Sequence, residues 1–154
     1  MSTAPTLAWI WQRMPGLGAD GVYDMLALRA RVFVLEQGLY LDPDGIDRDS
    51  WHLLGRDATG ALRAYLRVVD PGVKYAEPSI GRVVLDKPLR GSGLADALVA
   101  EGIARCGSVW PGQGIRISAQ AHLQRFYGRH GFAAAGETYL EDDIPHIQMW
   151  RPAA

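Results

Sequence analysis

Residues 79–106 set a hydrophobic run, a glycine-bearing turn and an amphipathic stretch in immediate succession. Ser79-Ile-Gly-Arg-Val-Val-Leu85 is rich in β-branched residues and barely alternates, which predicts a central strand covered on both faces. Lys87 and Pro88 follow, then the turn Arg90-Gly91-Ser92-Gly93-Leu94-Ala95. Ala95, Leu98, Val99, Gly102 and Cys106 recur at helical spacing and predict a helix over 94–106. A strand feeding such a turn gathers unpaired backbone N–H groups and the positive end of a helix dipole at one point. That combination suits a pyrophosphate. Gly91 and Gly93 remove the Cβ that would hold a ligand off the backbone, Ala95 keeps the helix close to its neighbours, and Arg90 adds a fixed cation. The bland alternative is a turn that merely joins strand to helix; with 18 glycines in the chain, a chance G-x-G is common. The Gly-Lys-Ser/Thr of a P-loop and the G-x-G-x-x-G of a dinucleotide fingerprint are both missing, which disfavours ATP or GTP hydrolysis and a Rossmann site.

The rest of the chain surrounds this unit with short elements. Leu7 to Arg13 reads as an opening strand. Asp20 is placed to cap a helix from Gly21 to about Phe33, with Val22, Leu26, Arg29 and Phe33 on one face and Met25, Leu28 and Val32 on the next. Asp42 to Asp49 is an acidic turn region. Trp51 to Arg56 and Ala61 to Val69 read as paired strands, Ile115 to Ala119 as a third, and Leu123 to Arg129 as a short helix stopped by Gly131. Two further strands fall near 133–140 and 147–150. The order β, α, β-β-β, α, β, α, β-β predicts a mixed α/β (α+β) sheet with helices on its faces.

At 154 residues the chain fits a single domain spanning 1–154. Sixteen Lys and Arg against 17 Asp and Glu leave a net charge of −1. That is a poor footprint for nucleic-acid binding, which needs clustered cations. No apolar run approaches the ~20 residues of a membrane helix. Cys106 is the only cysteine, so no intrachain disulfide forms; with no targeting segment recognised, the expected location is the cytoplasm. His52, His122, His130 and His146 lack zinc-ligand spacing, and Asp42 to Asp49 fails the EF-hand register, so no metal is expected. A two-fold homodimer is the common form for a soluble enzyme of this size.

Arg90-x-x-Gly93-x-Ala95, preceded by its strand, resembles the R/Q-x-x-G-x-G/A acetyl-CoA signature of the GNAT N-acetyltransferase superfamily. Gln120 to Phe132 resembles that superfamily's later motif, with the aromatic pair Phe126-Tyr127 placed before Gly131-Phe132. The stretches Leu28-Arg29, Val32 to Gln37, Asp42 to Asp47, Ala119 to Gln124 and Ile144 to Ile147 are similar to the ElaA-type branch. Together they cover most of residues 20–150.

The resemblance implies a splayed, mostly antiparallel sheet flanked by helices, with acetyl-CoA as co-substrate and a small-molecule or peptide amine as acceptor. The amine would attack the thioester directly in a ternary complex. Val83, Val84 and Leu85 match the strand that pairs with pantetheine, and a backbone N–H near Leu85 is placed to meet the oxyanion. Arg90, Gly91, Ser92, Gly93, Leu94 and Ala95 match the pyrophosphate turn, and Gln120 a polar position near the cofactor. Tyr127 matches the tyrosine that protonates the departing thiolate; without the resemblance it reads as a packing aromatic. Glu36 is a candidate to bind or deprotonate the amine, or a solvated carboxylate. His122 and His146 are candidates for the acceptor site or a proton relay. Arg29 reads either as a residue reaching into the acceptor cleft or as a snorkelling edge residue, and Cys106 as core. The Asp42–Asp49 segment reads as a turn-rich loop or as a negative rim attracting a cationic amine. Two alternatives stay open: a non-catalytic acyl-CoA-binding or sensing module on the same fold, and an enzyme similar to acyl-homoserine-lactone synthases.

Overall fold

The computed structural model describes residues 6–38 and 40–153. Strand β1 (Ala8–Arg13) leads into helix α1 (Met14–Arg29), and an antiparallel meander follows: β2 (Trp51–Arg56), β3 (Leu62–Val69) and β4 (Ser79–Leu85). Helix α2 (Leu94–Val109) crosses to β5 (Ile115–Gln120), the short helix α3 (Gln124–Gly128) comes next, and β6 (Ala133–Ala134), β7 (Tyr139–Glu141) and β8 (Ile144–Arg151) close the fold. One sheet runs β1-β2-β3-β4. The other runs β5-β8-β6, with β7 also paired to β8.

The meander separates two cores because successive strand residues face opposite ways. Leu53 and Leu54 are both buried, on opposite faces. On one face Met25, Leu28, Val32 and Phe33, from α1 and the turn after it, pack on Leu54, Tyr65 and Val84. On the other, Leu94, Leu98, Val99 and Cys106 of α2 pack on Leu53, Leu66 and Ile80 and continue into β5 and β8. Gly102 allows α2 to sit close: a Cβ there would lie 2.8 Å from Leu66 Cδ2. Burial of this kind contributes roughly 1.5–3 kcal/mol per large apolar side chain. It also pushes the Cys106 thiol up to about 12, as a core residue requires.

The start of α1 differs from the sequence expectation. The helix begins at Met14, with Pro15 in its first turn where a missing N–H costs nothing. Gly18 (φ 72°, ψ 170°) then interrupts it, and Asp20 lies inside the resumed helix. After Arg29 the helix widens into a π turn, Ala30–Val34, in which Leu35 N–H reaches Ala30 O at 3.0 Å. β4 is covered on both faces as expected, yet by hydrogen bonding it is the edge of its sheet.

Candidate active site

β4 and β5 begin side by side and then part. Arg116 N–H donates to Pro78 O (3.1 Å), and the Arg116 guanidinium holds Glu77 (3.0 Å). Beyond that point the strands belong to separate sheets. A cavity of about 390 Å³ opens between Ile80–Val83 on one side and Ile117–Gln120 on the other, and Tyr127 of α3 also lines it. A bulge in β4 assists. The β3–β4 register jumps from Tyr65↔Val84 to Arg67↔Gly81, so Arg82 and Val83 together face Leu66. Arg82 adopts φ 51° there, unusual for a residue with a Cβ. Such a bulge bends a strand and re-aims its side chains. Val83 lines the cavity, while Val84 is buried under α1 and Leu85 packs against the α2 core, so only the backbone of these two can meet a ligand.

The glycine turn has the conformation its sequence called for. Gly91 (φ 78°) and Gly93 (φ 86°) both lie in the left-handed region, where other residues are strained. Gly93 precedes the first residue of α2. Ser92 folds inward: its N–H and hydroxyl both donate to Leu89 O. The N–H groups of Gly91, Gly93, Ala95 and Asp96 find no backbone acceptor among the described residues. Leu94 is buried beneath the turn, and a Cβ at Gly91 or Gly93 would project into open space. This cradle of amides fits a pyrophosphate.

Tyr127 and Gln120 stand on the cleft's other wall. Tyr127 is 7% exposed and packs edge-on against Phe126 and Phe132. Its hydroxyl has no side-chain partner among the described residues, and burial pushes it up to about 12. It therefore stays protonated at neutral pH and can donate. The α3 end is pinned by Asp96, which accepts from Arg129 (3.1 Å) and pairs with His130 (2.8 Å). Gln120 Nε2 donates to Gln37 Oε1 (3.3 Å), and both line the cleft.

Arg29 is not an acceptor contact. It is fully buried, its Nε donating to Asp42 (2.8 Å) and its Nη1 to Asp47 (2.7 Å). Arg67 joins Asp44 (2.8 Å) to Asp47 (3.0 Å), and Arg82 reaches Asp42 (3.0 Å). Three arginines and three aspartates thus neutralise one another. Asp42, Asp44 and Asp47 therefore do not make a negative rim, because arginines already pair with their carboxylates; of the segment's aspartates only Asp49 is left facing solvent without such a pair among the described residues. Below them His52 Nε2 donates to Asp47 O (2.8 Å), which leaves Nδ1 to accept from Tyr65 Oη (2.6 Å). Burial pushes the His52 imidazole down and the Tyr65 phenol up, so both are neutral. Arg67 keeps one buried Nε–H without an acceptor among the described residues.

Glu36 also has a different partner from the one expected. Arg90 grips it in a two-pronged pair (2.9 and 2.7 Å), and those hydrogen bonds hold its carboxyl below the usual range. It lies beside the glycine turn and is a poor base. His122, on a single turn of 3₁₀ helix, is exposed and outside the cleft lining, although Gln120 and Leu123 line it. His146 is 7% exposed, sits opposite Gln120 in the β5–β8 register and lines the cleft. Next to it stand residues that sequence reasoning passed over: Glu141, Asp142 and Asp143, which line the same cleft. The signal available was three consecutive acids just before Ile144-Pro145-His146.

The family description "Acetyltransferase (GNAT) domain" matches residues 51–151. The chain belongs to the GNAT acetyltransferase family. Within it, Protein ElaA of Escherichia coli is 39% identical over 138 residues, covering 88% of this chain and 90% of ElaA. The crystal structure of ElaA superposes with a TM-score of 0.88 at 36% identity, over 95% of this chain and 99% of that one. An acyl-CoA N-acyltransferase from Pseudomonas aeruginosa gives a TM-score of 0.90 at 42% identity, with the same coverage of both chains. This GNAT chain is therefore ElaA-like along nearly its whole length, with the splayed, mostly antiparallel sheet of the acyl-CoA N-acyltransferase fold. No helix among its described residues is long and apolar enough to cross a membrane.

Proposed function

We propose that this protein moves an acetyl group from acetyl-CoA to a primary amine by direct attack within a ternary complex. The observation that carries the reading is the pairing of two features: the amide cradle at Gly91–Asp96, and a cleft beside it that holds an unpartnered phenol. The cradle binds the pyrophosphate, with Arg90 exchanging Glu36 for phosphate oxygens. The bulged edge of β4 from Val83 to Leu85 offers backbone groups to the pantetheine arm. The amine nitrogen attacks the thioester carbon, and a β4 amide near Leu85 donates to the oxyanion that forms. The C–S bond then breaks, and Tyr127 gives its proton to the thiolate.

Isothermal titration of the purified protein with acetyl-CoA, with CoA and ATP as controls, tests the donor assignment. Micromolar binding of acetyl-CoA and none of ATP is expected. A folded protein that ignores acetyl-CoA overturns the assignment. Binding without turnover of any primary amine would instead identify a sensing module.

A further inference from the structure

In the cleft His146 and Glu141 stand side by side, both among its lining residues. His146 Nδ1 lies 2.7 Å from Ile144 O. A carbonyl oxygen only accepts, so Nδ1 carries the hydrogen and Nε2 is the ring nitrogen left to take up or give a proton. That nitrogen faces Glu141 Oε2 at 3.3 Å. A proton shared across that gap, carried by the ring or brought by a ligand, joins the two. Asp142 and Asp143, at φ 51° and 61°, form the turn between β7 and β8 and bring two more carboxylates to the cleft. Unlike Asp42, Asp44 and Asp47, these acids have no arginine partner within salt-bridge distance among the described residues. The other groups facing this corner are Tyr139, stacked on His146, with Tyr75 behind it, Lys74, and Arg67 and Arg82, which line the same cleft but are paired with Asp42, Asp44 and Asp47.

We infer that His146 is the general base and that Glu141 holds the acceptor's ammonium group against it. The inference rests on the acetyl-transfer reading above. An incoming R–NH₃⁺ donates one N–H to Glu141 and a second to His146 Nε2. That second proton passes to the ring, giving an imidazolium held by Ile144 O and Glu141 and a free amine lone pair. The N–C bond forms and the C–S bond breaks. The second proton lost from nitrogen passes through solvent to replace the one Tyr127 gives to sulfur, and His146 releases its own proton to solvent. The acceptor class is an alkylamine that arrives protonated, drawn by the three carboxylates that the arginines of the cleft leave unpaired.

Two amines separate deprotonation from the rest of the reaction: n-butylamine, charged at pH 7, and methoxyamine, largely neutral there. In His146→Gln, kcat/KM for n-butylamine should fall about 100-fold at pH 7, within the usual range for a positioned base. It should recover as pH rises and free amine accumulates. The rate with methoxyamine should fall less than about 5-fold, since nothing must be removed before attack. Glu141→Gln, a change at a half-exposed side chain, should raise KM for n-butylamine about 10-fold and leave methoxyamine unaffected. Equal losses with both amines, or no loss with either, overturn the inference, as does a wild-type protein that acetylates neither. Calorimetry with acetyl-CoA runs on the same samples: normal affinity in the variants confirms their fold, and no binding by wild type condemns the donor reading instead.

Discussion

Two charged regions border the same cleft and are built on opposite terms. Around Arg29, Arg67 and Arg82 every aspartate has a guanidinium and each arginine has its carboxylates, deep beneath the loop over residues 40–50. Across the cleft, among the described residues, Glu141 pairs only with a histidine, Asp142 and Asp143 have no cation within salt-bridge distance, and the Tyr127 hydroxyl has no side-chain partner. Burial explains the contrast. Charges removed from water cost several kcal/mol each unless paired, so a closed cluster is a scaffold that cannot spare a member. Groups left unpaired at a cleft edge keep their hydrogen-bonding capacity for a ligand.

Breaking the closed cluster should have the largest effect. Arg29→Leu leaves Asp42 with Arg82 alone and Asp47 with Arg67 alone, one buried negative charge in excess, and should cost about 3 kcal/mol of stability, read by urea unfolding. Breaking the open region should leave stability nearly intact and affect rate. Tyr127→Phe should lower kcat about 100-fold with acetyl-CoA affinity unchanged by calorimetry; undiminished turnover would remove the phenol from the mechanism. Gly93→Leu forces a side chain into φ 86° over the amide cradle. It should weaken CoA binding by roughly 10-fold or more, on a penalty of about 1–2 kcal/mol for the left-handed conformation plus the lost approach; retained affinity would sink the pyrophosphate assignment.

Acid should also weaken the closed cluster. Burial pushes Asp44 up, but hydrogen bonds from Arg67 prevail and hold it at about 2, and Asp47 is held low by Arg29 in the same way. Their folded values lie below their unfolded ones, so the stability they confer is present at neutral pH. It starts to fall below the ordinary carboxylate range near ~4 and is gone once Asp44 itself protonates. A loss of roughly a few degrees in Tm between pH 5 and pH 3 is expected, and Asp44→Asn should flatten that slope. The smallest effect belongs to the exposed Glu36–Arg90 pair. Glu36→Gln should tighten CoA binding only about 2- to 3-fold, a gain that vanishes in high salt as surface pairs do.

What could be read from the chain was local. The strands 51–56 and 79–85 and the glycine turn announce themselves through apolar runs, β-branching and glycine spacing, all set by neighbours a few residues away. What could not be read was pairing at a distance. Arg29 finds Asp42 and Asp47, and Glu36 finds Arg90, only because a sheet brings them together. An arginine on an apolar helix face looks the same whether it will be buried with two carboxylates or offered to a substrate. The β4 bulge was invisible for a related reason, since no glycine marks Arg82 as the residue that takes the positive φ. Glu141 went unnoticed because an acidic turn is ordinary until a histidine with a fixed tautomer stands across from it.

The vertex at Pro78 and Arg116 gives the two sheets a lever. From Ser79 to Val83 the strand extends about 13 Å at ~3.3 Å per residue. Turning one sheet against the other by about 5° about that vertex would shift Val83 by roughly 1 Å relative to β5, an offset on the scale that costs reacting groups their alignment. Under the proposed reaction, the fit between thioester and amine would be governed partly by the Arg116–Pro78 amide contact and the Arg116–Glu77 pair at the opposite end of the strands. Mechanical tension or slack introduced there would be felt as a change in rate, with every residue at the reacting centre left untouched.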